Sequence, residues 1–101
     1  MAAVPALDLN ERAFQDGFFR LHDRDLARAT AALRRLRSLD WDTLYGHKGF
    51  RWEAIQGTQA PKGGPVYSLR LTQRIRVLAY RDGELLRLLS IHPDHDSAYT
   101  G

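Results

Sequence analysis

Apolar residues recur at every third or fourth position between Glu11 and Leu36 and at every second position beyond Tyr67, so helices are predicted before strands. Ala6 to Asn10 ("ALDLN") alternates and is predicted as a short first strand, with Asn10 placed to cap the helix that follows. From Glu11 to Leu21, Phe14, Phe18 and Leu21 share one helical stripe, with Gly17 as a weak point in the middle. The segment "DRDLARATAALRRLRSL" is a clearer helix: acids open it, arginines close it, and Leu26, Ala29, Leu33 and Leu36 line one side. Two antiparallel helices joined around His22 and Asp23 follow from that spacing.

Trp41 to Gly49 carries no period and two glycine breakers, and is predicted irregular. "FRWEAI" (Phe50 to Ile55) is predicted extended, at a sheet edge, and "GTQAPKGGP" is a loop by composition. "YSLRLTQRIRVLAY" then reads as two strands around a polar turn. Asp82-Gly83 signals a two-residue type I′ turn, and "LLRLLSI" (Leu85 to Ile91) is a last strand ended by Pro93. The expected fold class is α+β: a short N-terminal strand and a two-helix hairpin packed on an antiparallel meander sheet.

Alternation also predicts the register of the first hairpin. Pairing Leu71 with Ile75 and Leu69 with Val77 leaves a three-residue loop, Thr72 to Arg74, and sets Arg70 directly across from Arg76. Like charges opposed on a ladder cost roughly a few tenths to ~1 kcal/mol, and an anion between them reverses the sign. The structural alternative is a pair of solvent-face arginines whose stems cover apolar surface. With the Asp82-Gly83 turn, Leu86 and Leu88 join the face of Val77 and Ala79, whereas Leu85, Arg87, Leu89 and Ile91 share the arginine face. A face that apolar needs cover, for which the C-terminal "HPDHDSAYTG" is the natural candidate.

A chain of 101 residues, 44% hydrophobic, is expected to form one domain with one core. The absence of cysteine excludes disulfides, thiolate catalysis and cysteine-based zinc sites. No apolar window approaches a membrane span and "MAAVPALDL" lacks the pattern of a secretory signal, so a soluble cytoplasmic protein is expected. Net charge is +3 with pI near 9.7, and all but Lys48 and Lys62 of the 15 basic residues are arginine. That composition leans toward a polyanionic or acidic partner, since guanidinium suits bidentate phosphate contacts.

The stretch "YSLRLTQRIRVLAYRDGELLRLLSI", followed by "SIHPDHDSAY", resembles the arginine-bearing meander and terminal histidine–tyrosine segment of the RelE/ParE superfamily of bacterial type II toxins. The likeness is most specific over Tyr67 to Tyr99, while the N-terminal half agrees in helix order. It implies a toxin of a toxin–antitoxin system, an endoribonuclease cutting mRNA on the ribosome and held inactive by a protein antitoxin. The superfamily's other branch implies a non-catalytic inhibitor of DNA gyrase or another host protein. A solitary, non-toxic member of the fold is the third reading, motivated by Asp94 and Asp96, which depart from the basic character of the RNA-cleaving members.

Carried over by position, the resemblance makes Arg70 and Arg76 the basic residues of the first two meander strands. His92 or His95 matches the family's histidine or arginine, and Tyr99 its terminal tyrosine. Cleavage by the RNA's own 2′-hydroxyl needs a base, a positive group for the phosphorane and an acid for the departing 5′-oxygen. In that scheme Arg76, helped by Arg70, carries the charge, a histidine moves a proton, and Tyr99 stacks on a base or assists proton transfer. No metal or cofactor is required, and His92, Asp94, His95 and Asp96 make a poor chelate on a proline-broken tail. The structural alternatives are Arg76 paired with Asp94 or Asp96, Tyr99 packed over the sheet, and a solvated face for Arg28, Arg34, Arg35 and Arg37. Trp41 and Trp52 are expected as core or loop anchors, and His22 and His47 lie apart from the cluster.

Overall fold

A computed structural model describes residues 3–93 of the chain. The order is β1 (Ala6–Asp8), α1 (Arg12–Phe19), α2 (Asp23–Leu36), α3 (Trp41–Gly46), β2 (Glu53–Gln59), β3 (Pro65–Thr72), β4 (Ile75–Asp82) and β5 (Leu85–Pro93). The expected α+β fold is present. Its sheet has five strands in the order β1-β5-β4-β3-β2, antiparallel except where β1 lies parallel to β5.

The helices cover one face. Phe14, Ala29, Leu33, Leu36 and Leu44 pack on Leu69, Leu71, Val77, Ala79, Leu86, Leu88 and Ile91 to form the main core. Gly17, a weakness for an isolated helix, is what lets α1 cross β5: a Cβ there would sit 2.5 Å from Ile91 Cγ2 and 3.3 Å from Ile91 O. On α2, Asp23 and Asp25 occupy the first turn and Arg34 and Arg35 the last, complementing the helix dipole as the sequence predicts.

Several local expectations change, beginning with the stretch read as a loop, of which Gly57–Gln59 belong to β2 and Pro65 opens β3. Asn10 does not cap α1; its N–H goes to Asp8 Oδ1 at 3.0 Å, and Glu11 takes the cap position with no side-chain hydrogen bond. The stretch predicted irregular contains α3, because the Asp40 carboxylate accepts the Thr43 N–H at 2.7 Å and Trp41 and Leu44, three apart, are both buried. In the β4–β5 turn, Asp82 pairs with Leu85, so the loop is Gly83-Glu84 rather than Asp82-Gly83. Gly83 has φ +64° and Glu84 is not in the positive-φ region, which fits a II′ turn; Asp82 stays in the ladder, its carboxylate held by Arg87 and Lys62. In the first hairpin Thr72, not Leu71, pairs with Ile75, leaving a two-residue loop and a bulge at Leu71.

The other face of the sheet is divided. At one end Ala60, Val66 and Tyr80 are buried together, with Ile55, Leu78 and Leu89 packed against them, so the loop before β3 supplies part of the cover. The cover expected from the C-terminal segment lies outside the described residues.

Candidate functional site

The register sets Arg70 opposite Arg76, as alternation predicts. A second bulge extends that row. Between Ala79–Leu88 and Leu78–Ser90 the β4–β5 ladder skips Leu89, which remains on the outer face. Everything after it changes sides. Ile91, expected beside the arginines, turns inward against Gly17 and is 6% exposed, whereas His92 turns outward and pairs with Arg76. Arg70, Arg76 and His92 therefore stand in line across three adjacent strands, each step about 5 Å as strand spacing requires.

Two residues not foreseen join them. Strand β2 pairs Glu53 with Ser68, bringing Arg51 and Glu53 to the same side. Arg51, Glu53, Ser68, Arg70 and Arg76 line a cleft of about 80 Å³. It opens into a groove of about 320 Å³ that adds Leu78 and His92. Alternation in "FRWEAI" could have put Arg51 and Glu53 on one side of a strand and Trp52 on the other. It could not say which side faced the helices. Arg51 sits at φ +50°, a strained choice for a residue with a Cβ, and its N–H bonds to His47 O at 3.0 Å. The neighbouring Phe50 carbonyl accepts the Arg70 N–H at 2.7 Å, so this turn is tied to the arginine-bearing strand.

Charge in the groove is uneven. Arg51 Nη2 lies 3.3 Å from Glu53 Oε1, but neither Arg70 nor Arg76 forms an ion pair among the described residues. Burial against the sheet, and then the Arg76 guanidinium, push the His92 pKa below its ordinary value. A neutral imidazole at neutral pH follows. Its Nε2 is hydrogen-bonded with Ser90 Oγ at 2.8 Å, which leaves Nδ1 without a partner among the described residues.

The remaining expectations divide. His95, Tyr99, Asp94 and Asp96 lie outside the described residues. His22 precedes α2 at its cap position, and His47 Nδ1 accepts the Phe50 N–H at 3.2 Å, so neither enters the groove. Arg28, Arg34 and Arg37 are exposed, and Arg35 lies over the Phe50 ring at 5.6 Å. Trp41 is a core anchor; Trp52 is half-buried and stacked on Tyr67 with centroids 4.4 Å apart.

No family model and no curated protein matches the sequence. Among solved structures, the crystal structure of a copper-bound mutant toxin from Helicobacter pylori aligns over 96% of this chain and 98% of its own, with a TM-score of 0.48 and 20% identity. A likeness at that level establishes neither family nor activity. No described helix is long and apolar enough to cross a membrane.

Proposed function

We propose that the chain is a RelE/ParE-like toxin of a type II toxin–antitoxin system, acting as a metal-independent endoribonuclease on mRNA at the ribosome and restrained by a protein antitoxin. The reading is supported by the resemblance of Tyr67 to Tyr99 and, above all, by one observation: Arg76 is flanked in register by Arg70 on one side and His92 on the other.

That row has the parts the reaction needs. A scissile phosphate held by Arg70 and Arg76 relieves their mutual repulsion, and their guanidinium groups neutralise the extra charge of the phosphorane. His92, neutral for the reason given above, takes the proton of the 2′-hydroxyl as its oxygen attacks phosphorus. The bond to the 5′-oxygen breaks, that oxygen is protonated, and the products are a 2′,3′-cyclic phosphate and a 5′-hydroxyl. The acid role falls to His95 or Tyr99, outside the described residues. Glu53, which lines the same cleft and is paired with Arg51, repels phosphate and so favours its seating against Arg70 and Arg76.

Induction in cells, with message integrity and DNA breaks followed together, tests the reading. Loss of message is expected. DNA damage with intact message overturns it in favour of a gyrase inhibitor, and neither effect points to a non-toxic member of the fold.

A further inference from the structure

On the opposite side of β2 from the arginine groove lies a cleft of about 380 Å³ that the catalytic scheme does not use; its walls include Tyr45, Trp52, Pro65, Tyr67, Arg81 and Gly83. We propose that this cleft is a stacking site for a nucleobase, engaging the RNA strand at a position other than the one cleaved; this rests on the nuclease reading for the identity of the strand. The volume is at the low end of the ~300–1,000 Å³ usual for small-ligand sites.

The wall is an aromatic stack built from three elements. Trp52 of the turn before β2 lies on Tyr67 of β3 at 4.4 Å and 27°, and Tyr45 of α3 stands 5.1 Å from Trp52, 40% exposed at the rim. Stacked and tilted rings with an open edge accept another π-face, whichever base carries it. The cation is equally fixed. Arg81 lies over the Trp41 ring at 4.0 Å, donates from Nη1 to the Tyr45 hydroxyl at 2.6 Å and from Nε to the Gly83 carbonyl at 2.8 Å. Three anchors on an exposed arginine remove most of its rotamer freedom and leave Nη2 with no partner among the described residues.

Those features choose the ligand. A cage for a cationic ligand would want a carboxylate, and the charged group lining this cleft is itself a cation. A proline-rich peptide could use the rings but would leave Arg81 without a purpose. A nucleotide uses both: the base on Tyr45 and Trp52, the phosphate on Arg81. Continuity supports the same strand. Arg51 and Glu53 line the catalytic cleft while Trp52, between them, lines this one, so the two sites meet at the β2 edge of the sheet.

The test uses the full chain with AMP and with 2′-O-methyl hexaadenylate, which the 2′-hydroxyl chemistry cannot cleave. Titration is expected to quench tryptophan fluorescence saturably and to shift one of the two indole N–H signals, that of Trp52, while the signal of buried Trp41 stays. Tyr45→Leu should weaken oligonucleotide binding about tenfold, the order of one lost stacking contact, without changing its salt dependence. Tyr45→Phe, which keeps the ring, should retain the quenching. If neither probe moves the Trp52 signal in the unaltered protein, or if a proline-rich decapeptide moves it and the nucleotides do not, the proposal is overturned. AMP binding is read without RNA cleavage. Binding of AMP by a protein that cleaves no RNA keeps the cleft and removes the nuclease; cleavage abolished by Arg76→Ala with no response at Trp52 does the reverse.

Discussion

The outer face of the sheet holds arginines at both ends, and the protein treats them in opposite ways. Arg87, toward the β1 edge, bonds through Nη1 to Asp8 and through Nε to Asp82 at 2.8 Å, and Asp82 also takes Lys62 at 3.1 Å. Both carboxylates are mostly covered, their side chains 12% and 24% exposed. Their pKa values are held below the ordinary carboxylate value, for Asp8 by the Asn10 N–H and then Arg87, for Asp82 by Arg87 and then Lys62. Arg76 and Arg70, at the other end, face each other and a histidine that is itself kept neutral, with no described carboxylate paired to them. The charge that ties strands together is neutralised within the fold; Arg70 and Arg76 are left without a described carboxylate, as the proposed phosphate site requires. Arg87 ties β1, β4 and β5 together, whereas Arg76 ties nothing.

The largest effect expected from this contrast separates the two arginines by readout. Arg76→Ala should leave the unfolding midpoint near its starting value and lower ribosome-dependent RNA cleavage by about 100-fold or more, the order expected for losing a transition-state charge partner. Arg87→Ala should lower the midpoint, because it takes the only described cation from Asp8 and leaves Asp82 with Lys62 alone, and leave cleavage by the remaining folded protein close to normal. Equal losses of activity in both variants, after correction for the folded fraction, would erase the distinction.

Next in size is a swap between neighbours. Ile91→Ala should cost about 2–5 kcal/mol of stability in denaturant titrations, as buried isoleucine truncations do, while His92→Ala should cost less than about 0.5 kcal/mol and act on cleavage. A reversed ranking would mean that the bulge at Leu89 is absent.

Acid should reach the two ends in different windows. For Asp8 and Asp82 the folded-state pKa is depressed, so their contribution to stability is complete above about pH 4 and is lost as pH falls through the lowered values. For His92 the folded pKa is also depressed, so its small contribution is present above about 6.5 and is lost between there and the lowered value. In the proposed mechanism the same protonation removes the base, so kcat/KM should fall on acidification with a midpoint below 6.5, and His92→Ala should abolish that limb while the lower stability transition persists. Urea midpoints and cleavage rates recorded across pH 3–8 would separate the two.

The smallest effect lies in salt dependence. Binding of uncleavable RNA should weaken steeply with salt, and each of Arg70→Ala and Arg76→Ala should reduce the log–log slope by about one, whereas Arg87→Ala should leave it unchanged. A flat response in the unaltered protein would argue against a phosphate ligand.

Local pattern determined a good deal of this protein on its own. The two long helices, the meander and the Arg70–Arg76 pairing all follow from periodicity, because each is a contact between residues close in sequence, where a short turn leaves few registers to choose from. Even α3 was legible in principle, through the Asp40 cap and the spacing of Trp41 and Leu44. Tertiary structure decided the rest of the candidate site. Strict alternation puts His92 under the helices and Ile91 among the arginines, and nothing in "LLRLLSIHP" announces the extra residue at Leu89. The bulge suits the packed molecule, where Ile91 meets the one position on α1 with no Cβ, at Gly17, some 74 residues earlier in the chain. Arg51 and Glu53 arrive by the β2–β3 pairing, and the aromatic cleft by the meeting of α3 with the turn before β2 and with β3 and β4. Such placements depend on which distant surfaces fit together, and a periodic pattern along one strand carries no record of its partner's shape.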